Sequence, residues 1–229
     1  VMPGDEFLDY WDVWGLDIEE FNEILNNNEN AYSGMFGYVA EVRLREQFFE
    51  NDERISNLGS PRDHDRSEKG DIVFEYEGEE IRIEVKSLNT QKGDIAIRED
   101  LDGETVYEGT VQVMASDRRE IEFPDGTTTK SSLLEVGEFD ILAVNMFEYF
   151  MDWKFMFIKN EDISRSSTHD RLLKSNPNAT YPTNRSPLPY SEDPFELIED
   201  TISSEDETDK VGLEIEEDNS ESSTLDDFI

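Results

Sequence analysis

The stretch Gly70-Asp71-Ile72-Val73-Phe74-Glu75-Tyr76-Glu77-Gly78-Glu79-Glu80-Ile81-Arg82-Ile83-Glu84-Val85-Lys86 decides the fold. Apolar and polar side chains alternate along both arms, the period of a β-strand. The alternation predicts two strands, Asp71–Tyr76 and Glu80–Lys86, joined as a hairpin around Gly78. A two-residue turn at Glu77-Gly78 places Asp71 opposite Glu84; a turn at Gly78-Glu79 places it opposite Lys86. In both, Asp71, Glu84 and Lys86 share one face. Ile72, Phe74, Tyr76, Ile81, Ile83 and Val85 share the other, an apolar set suited to a core. A three-residue turn would send Asp71 and Glu84 to opposite faces, so the chemistry depends on an even loop.

Two carboxylates converging beside a sheet suit a hard divalent cation, Mg²⁺ or Mn²⁺, which takes oxygen ligands and keeps several waters. A water on such an ion is acidic enough to attack a phosphodiester. Lys86 points to the same side, where it can orient that water or offset charge developing on the phosphate.

An Asp, a turn and then Glu-x-Lys resembles the signature of the PD-(D/E)xK nuclease superfamily, with Gly70 in place of the usual Pro. The resemblance runs over roughly residues 34–200. Residues 110–158 are similar to later strands of restriction-endonuclease-like proteins, and Asp193-Pro194-Phe195 through Asp200 to their closing segment. It implies an α/β (α+β) fold with a restriction-endonuclease-like mixed central β-sheet flanked by helices. It also implies a Mg²⁺-dependent DNA endonuclease, with Asp71 and Glu84 as metal ligands and Lys86 assisting the water. The family draws a further glutamate from the preceding helix; Glu41, in Gly37-Tyr38-Val39-Ala40-Glu41, is similar in position and is expected at the metal. Cutting both strands of a palindrome calls for a homodimer.

Outward from the hairpin, residues 17–27 read as an amphipathic helix with Asp17 as N-cap. Asn26 to Asn30 read as a polar break. Residues 32–49 read as a longer helix with Met35, Tyr38, Val39, Val42 and Phe49 on one stripe. Residues 51–69 read as a loop. Further strands are expected near 105–116, 119–123, 139–146 and 154–158, with a turn at Pro124-Asp125-Gly126. The proline-rich segment 164–194 reads as irregular, and Asp193-Pro194 as the start of a short helix through Ile198. The organisation expected is one nuclease-like domain, 1–200, and a disordered acidic tail, 201–229.

The formal charge is −37 in 229 residues. Strand patterning and aromatic content argue against disorder through the whole chain, and a surface adapted to molar salt accounts for the acids better. In about 1 M salt the Debye length falls to about 3 Å, so repulsion from DNA is screened. The absence of cysteine excludes disulfides, thiolate metal sites and cysteine nucleophiles. No signal peptide and no apolar run of membrane-spanning length is visible, so a cytoplasmic protein is expected.

Other residues carry weaker signals. Gln112 could reach the site from a later strand, though a structural role is expected. Asp117-Arg118-Arg119 could contact phosphate or bases, or form surface ion pairs. Glu138 and Asp140 flank Phe139 as strand caps, and His64 and His169 lack the surroundings of a nucleophilic triad. At the C-terminus, Ser222 through Ile229 resembles a sliding-clamp-binding peptide with Leu225, Phe228 and Ile229 as anchors and Ser222 where glutamine is usual. Two other roles therefore stand beside a restriction-type endonuclease: a clamp-recruited repair or replication nuclease, and a non-catalytic DNA-binding or adaptor module.

Overall fold

A computed structural model describes residues 13–60, 70–89, 95–124 and 126–203. The clamp-like peptide at Leu225, Phe228 and Ile229, most of the acidic tail and His64 lie outside the described residues. The chain divides into two compact units, Val1–Val39 and Ala40–Ile229.

In the first unit, helix α1 (Ile18–Asn27) opens on Asp17. Its carboxylate accepts from the Glu20 N–H at 2.8 Å, and the Glu20 side chain accepts from the Asp17 N–H at 3.0 Å. This reciprocal capping box satisfies two amides that the first turn leaves without partners. The expected polar break shrinks to Asn28, whose side chain caps the next helix by accepting from Ala31 N–H at 3.1 Å. Helix α2 (Glu29–Leu44) crosses the boundary between the units.

The second unit is built on a five-stranded mixed sheet of order β1-β2-β3-β8-β9. Its strands are β1 (Ile55–Gly59), β2 (Ile72–Tyr76), β3 (Glu79–Ser87), β8 (Ile141–Asn145) and β9 (Phe155–Lys159). The β2–β3 turn is Glu77-Gly78, with φ of +53° and +99°. Two left-handed residues match the twist of the flanking strands, as short hairpins require. Ile72 pairs with Ile83 and Tyr76 with Glu79, so the register carries Asp71 to the level of Glu84. On its other edge β3 pairs parallel with β8, whose five residues are all buried. A parallel strand covered on both faces reads as a continuous apolar run, as Ile141-Leu142-Ala143-Val144 does.

Each face of this sheet carries its own core. On one, Ile72, Phe74, Ile83 and Phe157 meet Ala40 and Leu44 of α2 and Phe49. On the other, Leu142, Val144, Met156 and Ile158 meet Leu134, Phe139 and Leu173. Glu84 and Lys86 lie level with Leu142 and Val144 in the β3–β8 pairing and on that second face. Between β3 and β8 the chain forms β4 (Ala96–Glu99), β5 (Thr105–Thr110), β6 (Met114–Glu122) and β7 (Thr128–Leu133). β4 and β5 join β10 (Asn178–Tyr181) in a three-stranded sheet, while β6 and β7 form a two-stranded ribbon. After β8 comes the one-turn helix α3 (Phe147–Phe150).

Four expectations need correction. The proline-rich segment 164–194, read as irregular, contains β10 and buries Leu172, Leu173 and Ala179. The segment read as a loop contains β1, which pairs with β2 through a register shift. The strands expected at 105–116 and 119–123 divide differently, at Val111–Val113, and β6 runs unbroken through Asp117-Arg118-Arg119. Of the stripe expected over 32–49, Phe49 is buried, but Met35, Tyr38 and Val42 are exposed, and α2 buries Ala40 and Leu44 instead. A π-helical turn over Arg45–Phe49 shifts the phase before Phe49 goes inward.

The last helix, α4 (residues 194–203), starts where Asp193 caps Phe195 N–H at 2.9 Å. Arg54 ties it to the sheet edge. The guanidinium lies 4.3 Å from the Phe195 ring centroid and donates to Tyr76 Oη at 2.7 Å and Glu199 at 3.3 Å. No helix among the described residues is long and apolar enough to cross a membrane.

Gly70 sets the entry to the site. Its φ is +82°, and a Cβ there would lie 3.2 Å from Arg82 Cβ and 3.3 Å from the Ile83 carbonyl oxygen. Gly70→Ala is expected to cost about 1–3 kcal/mol, read as a lower midpoint in chemical denaturation.

Candidate active site

Asp71 follows Gly70 directly, and its N–H donates to the Ile83 carbonyl at 2.8 Å. Its carboxylate accepts from Val85 N–H at 2.7 Å through Oδ2. Backbone on both sides of Glu84 thus fixes Asp71 on the next strand. Lys86, two residues after Glu84 and on its face, closes the arrangement. Its Nζ lies 2.5 Å from Glu84 Oε1 and 3.6 Å from Asp71 Oδ2. The structure brings these three residues together as their alternation predicts, with the ammonium between two carboxylates.

The site is half-buried, and burial governs its protonation. Glu84 is pushed above the usual carboxylate range, first by burial and then by Asp71 and Glu138, against the pull of Lys86. For Lys86, burial opposes the charged form, but Glu84 and Asp71 more than offset it and the ammonium is held more firmly than an ordinary lysine.

A second layer of charge adjoins Glu84. Arg119 on β6 grips Glu138 with both terminal nitrogens, and its guanidinium lies 3.8 Å from Glu135. Glu138 also accepts from Glu135 N–H at 2.9 Å. Arg119 is therefore engaged with carboxylates, whereas its neighbour Arg118 is exposed. Asp140 accepts from Arg82 N–H at 2.7 Å and stitches β3 to the start of β8. The proximity of Arg119 and Glu138 to Glu84 is not readable from spacing, because it arises from the crossover between β3 and β8.

Glu41 follows buried Ala40 directly. It sits on α2, whose neighbouring residues Ala40 and Leu44 pack on the Ile72–Ile83 side of the sheet, opposite the face of Glu84 and Lys86. Among the described residues no three acidic, histidine or cysteine side chains converge to hold a metal. His169 stacks on Phe123 with centroids 3.6 Å apart, a packing role. Gln112 is exposed at the rim of a hollow with Met114 and Arg118.

No protein-family model matches this chain, and neither a curated protein nor a solved structure matches it.

The donor set fits a hard cation. It offers carboxylate oxygens alone, both already turned on one positive charge. Two carboxylates with waters completing the shell are sufficient for Mg²⁺. Bound protons compete with such an ion, and the raised affinity of Glu84 for its proton extends that competition to higher pH than for an ordinary glutamate. Mg²⁺ affinity measured calorimetrically is expected to fall on acidification, beginning above the usual glutamate range. Glu84→Gln should remove both the binding and its pH dependence.

Proposed function

We propose that this chain is a divalent-metal-dependent DNA endonuclease with a PD-(D/E)xK, restriction-endonuclease-like core, hydrolysing phosphodiester bonds at Asp71, Glu84 and Lys86. One observation carries the reading: Asp71 and Glu84, brought level across a hairpin, both face the Lys86 ammonium from a half-buried position. The surrounding sheet supports it, because it is mixed, as the resemblance implies: the antiparallel hairpin's second strand pairs parallel with buried β8.

Asp71 and Glu84 would hold Mg²⁺ or Mn²⁺, which when bound supplies Lewis acidity toward a phosphate oxygen and an acidified water. Lys86 would yield its place between the carboxylates to such an ion. Its ammonium remains beside them, where it can donate to the attacking water or to the non-bridging oxygens of the phosphate. Asp71 keeps its bond from Val85 N–H, so one of its oxygens stays oriented throughout. Arg119, held by Glu138 and Glu135, offsets nearby negative charge that would repel the phosphate. Activity in the cytoplasm and action as a homodimer on duplex DNA are consistent with this chemistry and belong to the proposal.

The test is cleavage of supercoiled plasmid in molar KCl with Mg²⁺. The native chain should nick or linearise it. Asp71→Asn, Glu84→Gln and Lys86→Ala should each lose at least about 100-fold in rate with unchanged circular dichroism. Retention of full activity by any of the three rejects the assignment.

A further inference from the structure

The acids are not spread evenly over this chain. Between Asp162 and Glu192 stand four Lys or Arg residues, Arg165, Arg171, Lys174 and Arg185, and a single acid, Asp170. The segment is thus poorer in acids than the rest of the chain. Arg185 is committed to Asp100, Asp102 and Glu104. Arg171 and Lys174 are exposed, and among the described residues neither has a carboxylate partner, in contrast to exposed Arg98, which holds Glu108 at 2.8 Å.

Backbone pairing connects this segment, through the stretch 110–113, to the strand that carries Glu84 and Lys86. Leu88, two residues beyond Lys86, bridges to Val111, and Asn89 N–H donates to the Thr110 carbonyl at 2.8 Å. On its other side the same stretch continues the β5–β10 pairing, with Val111 N–H donating to the Pro177 carbonyl at 3.2 Å and Val113 N–H to the Ser175 carbonyl at 2.8 Å. Val111 and Val113 are buried, and Gln112 between them is exposed. The pairing brings Met114 level with Lys174. Met114, Gln112, Arg118 and Ser132 line an open, mainly polar hollow of about 450 Å³. Leu172 is buried against Ile121 and Phe123 of the ribbon, which anchors the segment carrying Arg171 and Lys174 to β6.

The side chains around this hollow offer an amide, a hydroxyl and a guanidinium, with an ammonium beyond it. That is a set of donors suited to successive oxyanions rather than to an apolar ligand. Glu135 and Glu138, on the way toward Glu84, are both engaged by Arg119. We infer that the hollow of Gln112, Arg118 and Ser132, continued by Lys174 and Arg171, seats the phosphate backbone of nucleic acid on one side of the bond to be cut. The inference rests on the phosphodiester reading of Asp71 and Glu84, from which the same strand connections lead into the hollow.

Binding without cleavage separates the two readings. A fluorescein-labelled duplex of about 20 base pairs is titrated with the full chain in EDTA, over KCl from about 0.3 to about 2 M, and followed by anisotropy. Arg118→Gln, Arg171→Gln and Lys174→Gln should each weaken binding and lower the slope of log affinity against log salt by about 1. The triple variant should lose about 10- to 100-fold at the lowest salt. Arg98→Gln, an exposed cation remote in the pairing, should change neither. Equal affinity and slope for the triple variant and the native chain overturn the inference, as does failure of the native chain to bind DNA at every salt concentration. Displacement of the duplex by polyglutamate as readily as by unlabelled DNA overturns the assignment to nucleic acid. Binding that depends on these residues without any Mg²⁺-supported cleavage supports the inference and counts against the hydrolytic reading alone.

Discussion

Glu77 and Gly78 reverse the chain in two residues, and that even count decides what meets what. Side chains alternate along a strand, so one residue more in the turn would move Asp71 to the core face and leave Glu84 without its counterpart. Both residues are left-handed, with Glu77 taking a conformation that costs a non-glycine residue something to hold. The apolar residues Ile72, Phe74, Ile81 and Ile83 enforce the same register independently, because slipping them by one would turn them onto the charged face of Asp71 and Glu84. Turn and core therefore agree, and the carboxylates are placed by interactions that have nothing to do with binding an ion.

What the hairpin assembles is a site poised around a positive charge. Two half-buried carboxylates close together would be costly without compensation, and Lys86 supplies it from within the same strand. The arrangement favours any cation that matches two carboxylates better than an ammonium does. Further out, Arg119 has the corresponding role, taking up Glu138 and Glu135 so that their charge does not add to that of Asp71 and Glu84.

The regions of the fold legible in the sequence are those governed by local periodicity. The hairpin, the buried run of β8 and the Asp17 cap all follow from short-range pattern. β1 is hidden because Ile55-Ser56-Asn57-Leu58-Gly59 is a polar edge strand interrupted by left-handed Asn57, with its pairing supplied by β2. The buried face of α2 differs from the expected one because a helical wheel assumes constant phase, and the π-helical turn at Arg45–Phe49 breaks it. Of the site, Asp71, Glu84 and Lys86 are visible in the sequence because they belong to one hairpin. Glu41 is suggested by resemblance alone and lies on the helix covering the opposite face of the sheet. Arg119 and Glu138 meet 19 residues apart and reach Glu84 only through tertiary packing, which no spacing rule encodes.

The parallel pairing of β3 with β8 carries a consequence for how the molecule assembles. The hairpin joins neighbours in the chain and closes with little loss of loop entropy. The bond from Arg82 to Asp140 spans 58 residues, and such long-range closure is slow compared with local pairing. Asp71 and Glu84 can therefore meet while still hydrated, before Arg119, Glu138 and the β8 side of the sheet arrive to exclude water. The cost of desolvating Asp71, Glu84 and Lys86 together then falls on the late docking step.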